Sequence, residues 1–254
     1  MTPEELARIE AAKEGIRRIY GSTTRFEGES AENPLGYAIT HVAHGQRIFT
    51  TLPDIDAGWI VDADENIIHV TGDGADVRAV GNGNIQAIIS AAGTLRLNAT
   101  TPTTENFVRQ SGDYSQLVGS ASRDVVDTRG SRNARGVLGA GDDEVRIDAN
   151  TTNASFRGGA GRDSINLNAL PVNSDIIAVF NANTISLVTT DMTPIGQFGS
   201  FSHVTRGSDA QSIAQLLATH ADSEGFAQGI IHVENDGSLQ FVPLSALPAN
   251  SQTR

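Results

Sequence analysis

The chain has no cysteine in 254 residues. Disulfides, thiolate metal sites and cysteine nucleophiles are therefore excluded. Aromatic residues are scarce at 5%, and hydrophobic residues reach 39%. That is thin for a layered core built on Phe and Trp, and it suits a narrow interior filled by Val, Ile, Leu and Ala. Positive charge is in deficit: 18 Lys and Arg against 30 Asp and Glu give a net charge of -12. Phosphate binding needs a basic face, so this balance argues against a nucleic-acid partner. No apolar run reaches the roughly 18 residues of a spanning helix, which predicts no membrane span. The opening stretch, MTPEELARIEAAKEG, has no basic region followed by an apolar one, so a cleaved Sec-type leader is not expected. The motifs GxSxG and HExxH and a phosphate-binding loop are also missing, which removes the commonest signatures of catalysis.

Glycine is plentiful, with 26 residues, and it sits in turns. Two segments are near copies: LGAGDDEVR at 138–146 and GGAGRDSIN at 158–166, starting twenty residues apart. They belong to a row of Asp and Asn, namely Asp124, Asn133, Asp143, Asn153 and Asp163, spaced nine, ten, ten and ten residues apart. A short fixed period with a turn-forming residue at each node is the mark of a solenoid. From 59 to 99, short β-branched segments (59–61, 67–70, 77–80, 85–89, 95–98) are joined by polar turns at a similar step. They read as half-coils rather than hairpins.

The flanks read differently. Residues 2–20 predict a helix, with Thr2 and Glu5 spaced as a capping box and Leu6, Ile9, Ala12, Ile16 and Ile19 in an apolar stripe. Residues 21–35 read as a loop, and 36–52 as two strands around His44-Gly45. His41 and His44, three apart on a strand, point to opposite faces, which argues against a shared ion. Residues 100–117 break the period and read as a loop or insertion, with a strand near Phe107. Beyond the repeat, 175–180 and 184–189 predict a pair of strands. A helix is expected from a Ser208 cap to His220, and a hairpin around Asn235-Asp236-Gly237. The tail, 248–254, reads as loose. The chain is thus expected to be mainly β: a parallel β-roll or β-solenoid at 59–170, capped by a helix and strands at 1–58 and by a small C-terminal α+β region at 171–254.

The repeat carries the chemistry. Glycines let the turn adopt positive φ and bring carbonyls together, and the Asp adds a carboxylate. Hard oxygen donors in a flexible ring suit Ca²⁺ better than Mg²⁺ or Zn²⁺. One turn cannot complete the shell, but two stacked turns can. The expected ligands are Asp143 and Asp163 with carbonyls near Gly139, Gly141, Gly159 and Gly161. A poorer second site would use Asp124. Asn133 and Asn153, without glycines, are expected to close the opposite side through side-chain hydrogen bonds. An Asp/Asn ladder that stabilises a solenoid without metal is the competing reading.

These segments resemble the RTX nonapeptide repeat, G-G-x-G-x-D-x-U-x, of Ca²⁺-binding β-rolls. The match is complete at 158–166, lacks only the first glycine at 138–146, and is degenerate at 119–127 and 71–79. The half-coil step is mostly ten instead of nine, and the clear match covers under a tenth of the chain. The resemblance implies a secreted or cell-surface protein exported by a type I system through an uncleaved C-terminal signal, with folding coupled to Ca²⁺. A cytoplasmic location is the alternative. A structural, surface or binding role follows, with a cell-surface glycan or a protein as partner. The alternative in another class is a β-helix enzyme acting on a polysaccharide. It would need a lateral groove of convergent carboxylates and basic residues away from the turns. Asp62/Asp64 and Asp142/Asp143 are the acidic pairs available to it.

Overall fold

A computed structural model describes residues 2–20, 25–27, 37–42, 45–50, 59–62, 66–70, 76–81, 85–90, 92–99 and 105–246. The chain opens with α1 (Pro3–Tyr20) and continues as β1 (Arg25–Glu27), β2 (Tyr37–Val42), β3 (Gly45–Thr50), β4 (Trp59–Asp62), β5 (Asn66–Val70), β6 (Asp76–Gly81), β7 (Gln86–Ile89) and β8 (Thr94–Ala99). Next come β9 (Glu105–Gln110), β10 (Gln116–Val118), β11 (Arg123–Asp127), β12 (Arg135–Ala140), β13 (Glu144–Arg146), β14 (Ala154–Ala160) and β15 (Ser164–Asn166). The C-terminal part is β16 (Asp175–Phe180), β17 (Thr184–Thr189), β18 (Pro194–Gly199), β19 (His203–Arg206), β20 (Asp209–Ser212), α2 (Ile213–His220), β21 (Ala227–Val233) and β22 (Leu239–Pro243).

Successive strands alternate between two sheets. The first runs β3-β5-β7-β9-β11-β13-β15-β19 and the second β4-β6-β8-β10-β12-β14-β18, all neighbours parallel. This is a β-solenoid. Arg135 pairs with Ser155 and Glu144 with Ser164, so one coil takes twenty residues there. The two-residue period of the strands decides what lies between the sheets. Leu95, Val108, Leu117, Val126, Leu138, Val145, Ile165 and Val204 are all buried in one apolar cluster. Phe156 and Phe198 stack with ring centroids 6.4 Å apart. The low aromatic content matches this narrow interior.

The parallel stack reaches beyond 59–170 at both ends. β3 already pairs in parallel with β5, and β18 and β19 resume the coil after an excursion. That excursion is the β16–β17 hairpin, which turns back so that β17 lies antiparallel beside β18. β21 and β22 extend the same sheet beyond β16. α2 contacts β20 and β21, with Ile213 and Leu216 buried. Parallel pairing ends in antiparallel hairpins and a helix, which cover the terminal coil. At the other end the capping box forms: Glu5 N–H donates to Thr2 Oγ1 at 3.2 Å, and Thr2 N–H reaches back to Glu5. Of the expected apolar stripe, Ile9 is buried and Leu6 is half exposed, and the side chains of Ala12, Ile16 and Ile19 lie outside the described residues.

Three local readings change. Residues 100–117 do not interrupt the solenoid where they are described, because β9 and β10 sit in register between their neighbours. The strand expected near Phe107 is β9, and its inward residues include Asn106 and Gln110, whose polarity obscured its place in the coil. α2 is capped by Ser212, not Ser208, because 209–212 forms a strand first. The stretch read as a loop at 21–35 contains β1. The glycine turn of 71–75, Asp64, His44 and the 248–254 tail lie outside the described residues.

Candidate functional site

One corner of the coil, where β10, β12 and β14 turn into β11, β13 and β15, collects the repeat residues. The short strand after each turn buries its middle residue, Val126, Val145 or Ile165. The residue two positions earlier is Asp124, Asp143 or Asp163, and each is at most 1% exposed. The parallel register stacks these three carboxylates into a column.

The column is a ladder. Asp124 N–H donates to Asp143 Oδ1 at 2.8 Å, and Asp143 N–H donates to Asp163 Oδ1 at 3.0 Å. The same pattern continues below through Asn106, whose Oδ1 accepts from Ile85 N–H at 3.1 Å. Above, the rung is Ser202, whose N–H and hydroxyl both donate to the Asp163 carbonyl. Asn106 and Ser202 were missed by motif reading. The coil step could have found Asn106, since it precedes Asp124 by eighteen residues.

The rungs differ in what remains to be satisfied. Asp124 is saturated: Oδ1 accepts from Asn106 Nδ2 at 2.6 Å and Ser120 Oγ at 3.3 Å, and Oδ2 accepts from Ser120 N–H at 2.7 Å. Asp143 Oδ2 and Asp163 Oδ2 are buried and accept no hydrogen bond among the described residues. A buried carboxylate oxygen without a donor is costly. Burial raises the Asp143 carboxyl to about 7. The Asp124 N–H opposes this, and the charges of Asp124, Asp163 and Asp142 add to it. Burial also raises Asp163, against the Asp143 N–H and with the help of Asp142. Asp124 is raised by burial but eased by Asn106 and Ser120.

The glycines have a geometric role. Gly139, Gly141, Gly159 and Gly161 have φ of 108°, 124°, 124° and 137°, which L side chains rarely adopt. A Cβ on Gly159 or Gly161 would fall 1.9 Å from the carbonyl oxygen of Gly139 or Gly141 in the coil below. A Cβ on Gly158 would lie 2.2 Å from Asp163 Oδ2. Glycine therefore allows the turns to stack closely and leaves the space beside that oxygen open. The structure brings together all the sequence-derived ligands: Asp143 and Asp163 with free oxygens, Asp124 with its oxygens engaged, and the four turn glycines.

Asn133 and Asn153 occupy the opposite corner and act otherwise than expected. Their φ values are 56° and 53°, and their side chains make no hydrogen bond among the described residues. The corner uses Asn because it tolerates left-handed backbone. Their N–H groups donate to Thr152 and Pro194 carbonyls.

The outer face of the first sheet carries acids and bases away from the turns. Glu144 accepts from Arg123 Nη2 and Arg146 Nε, both at 2.7 Å, and from Asn166 Nδ2 at 2.9 Å. Arg123 also pairs with Glu105. Asp127 pairs with Arg109 at 3.0 Å and Arg129 at 2.6 Å. Burial would raise the Asp127 carboxyl, but the hydrogen bonds and charge of Arg129, with the charge of Arg109, bring it below its ordinary value. These carboxylates are neutralised by guanidinium partners. An open depression of about 220 Å³ lies beside them, lined by Arg123, Asp142, Arg162, Ser164, His203 and Thr205. His203 and Arg162 meet there at 3.1 Å, and burial followed by the Arg162 charge lowers the His203 imidazole.

Comparison with family models, curated proteins and solved structures finds no match to this chain. Among the described residues no helix is long and apolar enough to cross a membrane, which says nothing of β-barrels.

Proposed function

We propose that this chain is a structural or binding β-solenoid whose Asp143/Asp163 corner takes a divalent cation, with Ca²⁺ the best chemical match. The observation that carries this is the pair of buried, donor-less Oδ2 atoms on successive coils. Two neighbouring buried carboxylates repel unless they are protonated or share a cation. The donors at this corner, two carboxylates and glycine-turn carbonyls, are all hard oxygens. Asp143 and Asp163 would hold the ion, and the ion would neutralise them and tie two coils together. Binding free energy then becomes folding free energy. Export to the cell surface or medium, where Ca²⁺ is plentiful, accords with the RTX resemblance and with the acidic charge.

A metal-free solenoid is the second reading, favoured by one specific observation. Asp143 Oδ1 and Asp163 Oδ1 each already accept a backbone N–H, and coil clearance by itself accounts for Gly159 and Gly161. Protons on Asp143 and Asp163 would then replace the ion. Thermal unfolding followed by circular dichroism, with Ca²⁺ against chelator, separates the two. The ion reading expects about 2.7 kcal/mol of stabilisation at a hundredfold excess over Kd. An unchanged melting temperature selects the metal-free solenoid.

A further inference from the structure

We propose that the outer face of the second sheet from β8 to β18 binds a linear, carboxylate-bearing polysaccharide. This inference is independent of the ion at the Asp corner. In a chain of net charge -12, the strands β8, β10, β12, β14 and β18 contain three arginines, Arg96, Arg135 and Arg157, and no Asp or Glu. Parallel register places Arg96, Val118, Val137 and Arg157 in one row along the solenoid axis. Arg135 stands in the adjacent row, between Gln116 and Ser155. All three arginines are exposed, and Val137 is 52% exposed. With strands about 4.8 Å apart and about 3.3 Å per residue, Arg135 and Arg157 have Cα atoms roughly 8 Å apart, and Arg96 lies roughly 14 Å from Arg157 along the row.

The contrast with the first sheet gives this face its meaning. There, Arg109, Arg123, Arg129 and Arg146 are each held by a carboxylate. Arg135 and Arg157 have no acidic partner among the described residues. Planar guanidinium groups suit carboxylates, and the amides and hydroxyls between them suit sugar hydroxyls. A second feature borders the patch. Tyr114, 60% exposed with φ of 59°, precedes Gln116 and stacks in register with Asn133 of the next coil. Asn adopts this left-handed backbone readily and tyrosine only at a cost. An exposed aromatic kept at such a position offers a flat surface for a sugar ring. Arg132, at the same corner, is already paired with Asp113 at 2.8 Å.

The charge density decides the partner. A duplex presents closely spaced phosphates, which three arginines on an acidic chain cannot match. A lipid surface selects long apolar or aromatic side chains at its interface, whereas this face offers two valines among polar groups. A glycan with carboxylates spread along a hydroxyl-rich chain fits the mixture.

The test uses short galacturonate oligomers, titrated calorimetrically in calcium-containing buffer in which circular dichroism shows the chain folded. Failure here is thereby separate from failure of the ion reading. Wild-type chain is expected to bind the acidic oligomers, weakening as salt rises, and not to bind their methyl esters. Arg135→Gln with Arg157→Gln should weaken binding by about tenfold or more at an unchanged melting temperature. Tyr114→Asn should weaken binding while the melting temperature holds or rises. Equal affinity for the methyl esters, or undiminished affinity in the double variant, would overturn the proposal. So would tighter binding to duplex DNA or to phosphatidylserine vesicles than to the oligomers.

Discussion

Replacing Gly159 with alanine tests whether the coils stack as closely as the structure shows. Two costs combine. The backbone at Gly159 has φ of 124°, a region nearly closed to L residues, and holding a side chain there costs about 1–3 kcal/mol. The new methyl would also lie 1.9 Å from the Gly139 carbonyl oxygen. That obstacle is backbone fixed in a parallel ladder, so coil 158–161 must lift off coil 138–141, at about 1–3 kcal/mol more. The expected loss is therefore about 2–6 kcal/mol, a large part of a domain's stability. Gly130 is the control. Its φ is 75°, but a Cβ there meets nothing within 4 Å, so Gly130→Ala should cost only about 1–2 kcal/mol. Urea unfolding of both variants gives the difference. A lower midpoint at constant m for Gly159→Ala than for Gly130→Ala supports the stacking. Equal losses would refute it, since conformation alone would then explain both.

Other perturbations probe separate parts of the fold. In chelator, Asp143 titrates near 7 in the native chain against an ordinary value of 3.8. The native state thus binds the extra proton, and its contribution is full below about pH 4 and lost as pH rises through about 7. Urea midpoints should fall between about pH 4 and about pH 7, and Asp143→Asn should flatten that slope. Ser212→Ala removes the acceptor for Gln215 N–H at the start of α2 and should cost about 0.5–2 kcal/mol by the same assay. Arg206 donates to the carbonyls of Gly237 and Leu170. Arg206→Met should lower stability by about 1–3 kcal/mol and speed amide exchange in the β21–β22 hairpin.

The solenoid was legible because its repeat is written in residues with narrow conformational uses. Glycine pairs at 139/141 and 159/161, each followed by a buried Asp, give the twenty-residue coil without any structure. The inward Val126, Val145 and Ile165 follow from period two. Legibility fails where chemistry is substituted within the same geometry. Asn106 holds an Asp rung and Gln110 an inward apolar position, so the strand near Phe107 looked like part of an insertion and not like a coil strand. Ser120 and Ser122 replace turn glycines, which hid how Asp124 is satisfied by Ser120 N–H. The Asp and Asn rows read as one ladder of alternating type. In space they are two corners, one buried and hydrogen-bonded, the other partly to fully exposed and chosen for positive φ. The return of β18 and β19 to the stack after a hairpin has no local signal. It depends on which sheet edge the chain meets.

The central claim is that Asp143 and Asp163 share one cation. Calorimetric titration of calcium into chelator-stripped chain tests it most directly. One saturable ion per chain, lost in Asp163→Asn while the solenoid's circular dichroism persists, is the expected result. Absence of binding in the wild-type chain, or a variant that binds as tightly as wild type, would contradict it.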